Sequence, residues 1–236
     1  MLNLFYGPVV NAARGLAVMV QGNVESLGSQ FQVAMKPQII KNYAEGDHKH
    51  MQFLIFTGAK FAFFITFALA LPVMLEIHQF LTWWLEEVPQ WTTQFTIIVL
   101  CISCVTVVGT SLYNAVSATG DMKAYQIGQA VVLISFLPIS YFVLKITKAT
   151  PVVSFFILFV FYVINAAVCS VIALRKLKIP IWNYLKYTIF PIVAVIVVAT
   201  IIPLSLRVFM EDGVLSFFLI CAVAVLCVLV ASYFVG

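Results

Sequence analysis

Four stretches of this chain contain no charged residue: between Glu87 and Asp121, between Lys148 and Arg175, between Lys186 and Arg207, and everything after Asp212. A helix crosses about 30 Å of hydrocarbon with roughly 20 mostly apolar residues, and each stretch can hold one. The runs are continuously apolar and lack the alternation of an outer-membrane barrel strand, so helices are the expected elements. Composition closes the soluble alternative. Charged residues make up 9% of the chain, against about 25% in an ordinary soluble domain. The expected fold is all-α, a polytopic transmembrane helix bundle.

The apolar runs predict seven spans, at roughly 8–35, 54–75, 92–117, 124–145, 151–174, 184–206 and 213–235. Residues 1–7 read as the tail of an earlier helix, so the chain is expected to begin mid-protein. Loop charges orient the bundle. Lys36, Lys41, Lys49, Lys123, Arg175, Lys176, Lys178 and Lys186 fall on one side of the alternation. The other side carries Glu76, Glu86 and Glu87, then Lys145 and Lys148, then Arg207 with Glu211 and Asp212. The positive-inside rule makes the first side cytoplasmic and places the C-terminus inside. This use of the basic residues also accounts for the net charge of +4 without nucleic acid.

Smaller features fit the same picture. Trp83, Trp84 and Trp91, in the loop 76–91, suit an aromatic belt at the headgroup level better than a sugar-stacking platform. Residues 44–60 are expected to begin as a helix along the inner surface, with Lys60 at the boundary. Pro138 should kink the fourth span. The five cysteines lie inside apolar runs, where a disulfide framework or zinc site is not expected. Asp47, His48 and His50 read as solvated loop residues. No phosphate-binding glycine loop, HExxH or nucleophile elbow is present, so neither an enzyme nor a cofactor is expected.

The first span is the polar exception. Arg14, Gln21, Glu25 and Gln32 are separated by 7, 4 and 7 residues, which places all four within about 40° of one line down a helix. Asn11 and Ser29 flank that line. A charge at the bilayer centre costs about 2.5–3.5 kcal/mol even on the permissive insertion scale. The stripe is therefore expected to line a hydrophilic passage, with Gly15, Gly22 and Gly28 allowing close helix packing. Arg14 offers a planar group of five donors suited to phosphate. The plainer alternative makes Arg14 and Glu25 structural glue to other helices. Eleven residues span about 16 Å of helix, so the two cannot pair directly within this one.

Five segments in order, GPVVNAARGLAVMVQG, FQVAMKPQIIKNYAEGD, WLEEVPQWTTQF, SATGDMKAYQI and LPISYFVLK, together resemble the polysaccharide flippases of the Wzx type. These belong to a superfamily that also holds the MATE multidrug exporters and the lipid II flippases. The resemblance implies the C-terminal lobe of a two-lobed, MATE-like carrier in a bacterial inner membrane. Residues 1–174 would be core helices of that lobe and 175–236 an additional C-terminal pair, with the N-terminal lobe absent. It implies transport of an undecaprenyl-pyrophosphate-linked oligosaccharide by alternating access, with Asn11, Arg14, Gln21, Glu25 and Gln32 lining the cavity and Arg14 meeting the pyrophosphate. Implied partners are membrane lipid, the missing lobe, the polysaccharide polymerase and glycosyltransferases. A drug or cation antiporter of the same fold, or a non-functional remnant, is the alternative.

Overall fold

The computed structural model describes residues 6–85, 87–147, 150–210 and 213–235. Glu86, Lys148, Glu211 and Asp212, used above for orientation, lie outside the described residues, as do residues 1–5. Everything described is helix or short connection. We number the helices α1 (Pro8–Ala44), α2 (His48–Leu75), α3 (Ile77–Trp84), α4 (Thr92–Ala118), α5 (Lys123–Thr147), α6 (Pro151–Lys176), α7 (Ile181–Phe209) and α8 (Val214–Phe234).

Six of these, α2 and α4 to α8, are long and apolar enough to cross a membrane. Helix α1 is too polar to join them on composition. It runs beside two of them along their whole length, however. Val10 packs with Phe95 near the start of α4, Val24 with Leu100 and Ala70, and Ile39 with Ala115 and Val116 near the end of α4. Helix α1 is thus parallel to α4 and antiparallel to α2, and occupies the same slab. Seven long helices form the bundle, as the sequence predicts.

Three expected boundaries are corrected. Helix α1 has 37 residues, about 55 Å, and passes Pro37 to end at Ala44; the span was expected to end near residue 35. Helix α2 is one continuous helix from His48, so residues 48–60 are not a separate surface segment. Asp47 starts it by accepting the His50 backbone N–H at 3.0 Å, a cap that satisfies a donor the helix cannot. Within the expected loop 76–91, residues 77–84 form helix α3, which buries Ile77 and Leu81 and exposes Trp83 and Trp84.

Helices α1, α2 and α4 meet through small side chains. Ala13, Ala17, Ala59, Ala62, Ser103 and Ser111 are fully buried, as expected where backbones approach closely and packing replaces the hydrophobic effect. Helix α6 lies on α4, with Phe95 and Phe155 stacked at 4.0 Å between centroids. Helix α5 packs mainly on α6 and turns Ile127, Val131, Ile134 and Phe142 outward. Pro138 sits inside α5 without ending it. On the other flank α7 and α8 pack on α2. Helix α7 contains a π turn at Leu185–Ile189, ending two residues before Pro191, whose missing N–H breaks the regular ladder. At the end of the bundle that holds the start of α1, Arg207 Nε lies 3.0 Å from Glu76 Oε1, and Glu76 is buried.

Candidate functional site

The four stripe residues of α1 do not share one environment. The buried face of α1 is Val10, Ala13, Ala17, Val20, Val24, Gly28 and Ile39, and the polar stripe runs along its edge. Arg14 is exposed with Asn11, while Gln21 and Glu25 are half-buried. Gln21 Nε2 donates to Glu25 Oε1 at 2.9 Å, which holds the carboxylate against its own helix. Gly22 and Ser29 continue the strip on the exposed side, and nothing lies within 4 Å of where a Gly22 side chain would begin.

Gln32 departs from this arrangement. It is 1% exposed, and its amide N donates to the Gly58 carbonyl at 3.1 Å and to Ser111 Oγ at 2.8 Å. Ser111 Oγ in turn donates to Gln32 Oε1 at 3.0 Å. Gln32 therefore ties α1 to α2 and α4 in the interior and faces no open passage. The expectation that four residues act alike fails here because a line on a helix surface does not show where neighbouring helices end their cover.

Depth also separates them. Gly28 contacts Ala62 and Thr66 at the middle of α2 and Val107 at the middle of α4, so it marks the midplane. Arg14 is fourteen residues away, about 21 Å of helix, and the hydrocarbon core extends only about 15 Å to each side. By this length Arg14 lies beyond the hydrocarbon, at one end of the bundle, where a guanidinium can meet water. Glu25, about 4.5 Å from the midplane by the same rise, is the deep charge of the strip.

A second polar region escaped the sequence reading. Between α4, α5 and α6 a cleft of about 240 Å³ is lined by Thr106, Thr110, Tyr113, Gln129, Tyr162 and Asn165. Tyr113 meets Tyr125 edge-on at 5.7 Å across it. The signal was present, since Thr106, Thr110 and Tyr113 recur at i, i+4 and i+7, but neutral hydroxyls stand out less than charges in an apolar run. Among the described residues no group of three or more His, Cys, Asp or Glu could hold a metal.

Comparison with protein-family models, with curated proteins and with solved structures gives no match. The composition, the six apolar helices and the antiparallel packing define the class: this is a multi-pass α-helical membrane protein.

Proposed function

We propose that this chain forms one lobe of a bacterial inner-membrane carrier that moves a polyprenyl-pyrophosphate-linked oligosaccharide by alternating access. The observation carrying the reading is the uncovered polar strip of α1, from Asn11 and Arg14 through Gln21, Gly22 and Glu25 to Ser29. Helices α5, α7 and α8 present isoleucine, leucine, valine and phenylalanine outward, as lipid-facing helices do; α1 exposes Val9, Val18, Met19, Leu27 and Val33 as well, but sets the polar strip among them. A strip of this kind suits the wall of a wet passage closed by a second lobe. Arg14, at the outer boundary, is placed to receive a pyrophosphate as the substrate arrives in the outer leaflet, with its planar donors bidentate to phosphate oxygens. The C-terminus is cytoplasmic in this reading, because the end bearing Lys49, Lys123, Arg175, Lys176 and Lys178 faces inward.

The experiment is Arg14→Ala in the carrier with both lobes present, in a cell whose surface polysaccharide depends on it. Surface polysaccharide should disappear while the protein stays in the membrane at its normal level. Normal polysaccharide without Arg14 refutes the assignment. A second reading, an ion-coupled drug or cation antiporter, draws on one observation, the depth of Glu25. In that case Glu25→Gln abolishes ion-driven efflux, and Arg14→Ala leaves it intact.

A further inference from the structure

At the end of the bundle opposite Arg14, the three corners 45–47, 119–122 and 177–180 surround a cavity of about 600 Å³. This is within the size range of small-molecule sites. Tyr43, His48 and Lys49 line it from the α1–α2 corner, Asp121 from the α4–α5 corner, and Lys176 and Lys178 from the end of α6. Its floor is apolar, with Met51, Leu177 and Ile179.

The cavity's charge is unbalanced. Three lysines face one carboxylate, and that carboxylate is already engaged. Asp121 Oδ2 lies 2.7 Å from Lys176 Nζ, and Lys176 also donates to the Asp121 carbonyl. The nearby acids are occupied as well: Asp47 caps α2 through the His50 N–H, and Glu45 Oε1 stands 3.8 Å from Lys41 Nζ. Among the described residues, Lys49 and Lys178 enter no ion pair.

A backbone feature points to the same place. Lys178 has φ of 56°, the left-handed region that glycine adopts at no cost and lysine does not. It is the turning residue of a Schellman end to α6. The Ile179 N–H donates to the Leu174 carbonyl at 2.9 Å and the Lys178 N–H to the Arg175 carbonyl at 3.2 Å, and Ile179 and Leu174 are both buried. Such helix ends normally carry glycine or asparagine. The left-handed turn at Lys178 thus sets a lysine, where glycine would be free of strain, on the wall of a cavity short of anions.

We propose that this cavity binds the phosphate of an anionic phospholipid headgroup, with Lys49 and Lys178 as its charge partners. The position suits a lipid. Basic pockets between helices at the cytoplasmic boundary hold anionic headgroups, and an apolar floor receives the glycerol end. The site is separate from the α1 strip and stands independently of the carrier reading.

The test uses the full chain purified in detergent, with dioleoylphosphatidylglycerol or dioleoylphosphatidylcholine titrated in and retained lipid read by native mass spectrometry. Phosphatidylglycerol should be retained in preference to phosphatidylcholine. The double variant Lys49→Ala/Lys178→Gly should weaken phosphatidylglycerol binding by about thirty-fold, about five-fold for each lysine near the surface, with phosphatidylcholine unaffected. Glycine suits the left-handed position, so this variant should melt no lower than the parent. If it fails to fold, Lys49→Gln/Lys178→Asn serves in its place, since asparagine also tolerates that conformation. Equal retention of the two lipids, or an unchanged phosphatidylglycerol affinity in the variant, overturns the proposal. Displacement of the lipid by an equal concentration of inorganic phosphate, with the same lysine dependence, makes this a free-anion site and overturns the lipid assignment.

Discussion

Gly28→Ala should loosen the crossing of α1 on α2 by about 2 kcal/mol, the balance of an overpacking cost and a helix-propensity gain. The magnitude follows from the geometry. A side chain begun at Gly28 lands 2.2 Å from Thr66 Oγ1 and 3.3 Å from the Ala62 carbonyl, where ordinary contact starts at 3.4 Å. Thr66 is fully buried and β-branched, so its hydroxyl has few rotamers in which to retreat. Overpacking costs about 1–3 kcal/mol, and a gap this short belongs at the upper end. Alanine returns about 1 kcal/mol through its better helix propensity.

In a chain of this size a 2 kcal/mol loss lowers Tm by about 4–8 °C, measurable by circular dichroism in detergent. Two further variants isolate the cause. Gly22→Ala, with nothing within 4 Å, should hold or raise Tm, by up to about 1 kcal/mol of stability. Gly28→Ala/Thr66→Ala should recover most of the loss, because the obstructing hydroxyl is gone. If Gly28→Ala melts with the parent, α1 does not approach α2 this closely, and the placement of the polar strip on an uncovered edge falls with it.

Gln32→Leu should cost about 1–3 kcal/mol, since it removes the buried amide that bonds the Ser111 hydroxyl and the Gly58 carbonyl. A double-mutant cycle with Ser111→Ala, followed by thermal unfolding, should show the two losses to be less than additive. Arg207→Met leaves the buried Glu76 carboxylate without its guanidinium and should cost about 3–5 kcal/mol, most of it restored by adding Glu76→Leu; additive melting losses would refute the pairing. The Lys176 side chain, hydrogen-bonded to Asp121, and then the Lys123 backbone N–H, hold the Asp121 carboxyl below the usual carboxylate range. Its contribution is therefore present above the unfolded value of about 3.9 and is lost as pH falls through the lower folded one. The Tm difference between the parent and Asp121→Asn should accordingly be constant above about pH 5 and shrink toward pH 3. Because the carboxylate is exposed, the difference should also shrink in about 1 M salt.

The spanning helices were legible because charge-free apolar runs admit little else. Their ends were less so. The first span was expected to close near residue 35, yet α1 passes Pro37 and continues to Ala44, and the tryptophan-rich connection conceals α3. The deeper difficulty lies with neighbours. Gly15, Gly22 and Gly28 look equivalent in sequence, but only Gly28 meets another helix, while Gly15 and Gly22 face open space. Gln21 and Gln32 share one line on α1, but Gln32 is buried against α2 and α4 while Gln21 is only half-buried. Periodicity orders residues around a helix axis; it does not contain the crossing geometry that decides which part of a face is covered.

That crossing geometry bears directly on α1. If its uncovered edge met hydrocarbon, Glu25 alone would cost about 2.5–3.5 kcal/mol near the midplane, and its single hydrogen bond from Gln21 would offset only about 0.5–1.5 kcal/mol of that. Arg14 escapes this cost by lying near the end of the bundle, but Gln21, Glu25 and Ser29 do not. Small residues at Gly15 and Gly22 keep the same edge narrow, so another backbone or a ligand can come close to the helix itself. Helices α5, α7 and α8 occupy the flanks with apolar residues outward, while α1, packed on α2 and α4, sets polar and apolar residues side by side on its exposed face. A carboxylate at this depth on a half-exposed edge of α1 is stable in a membrane when water or a polar surface reaches the middle of the helix, which is the condition a passage through the bilayer also requires.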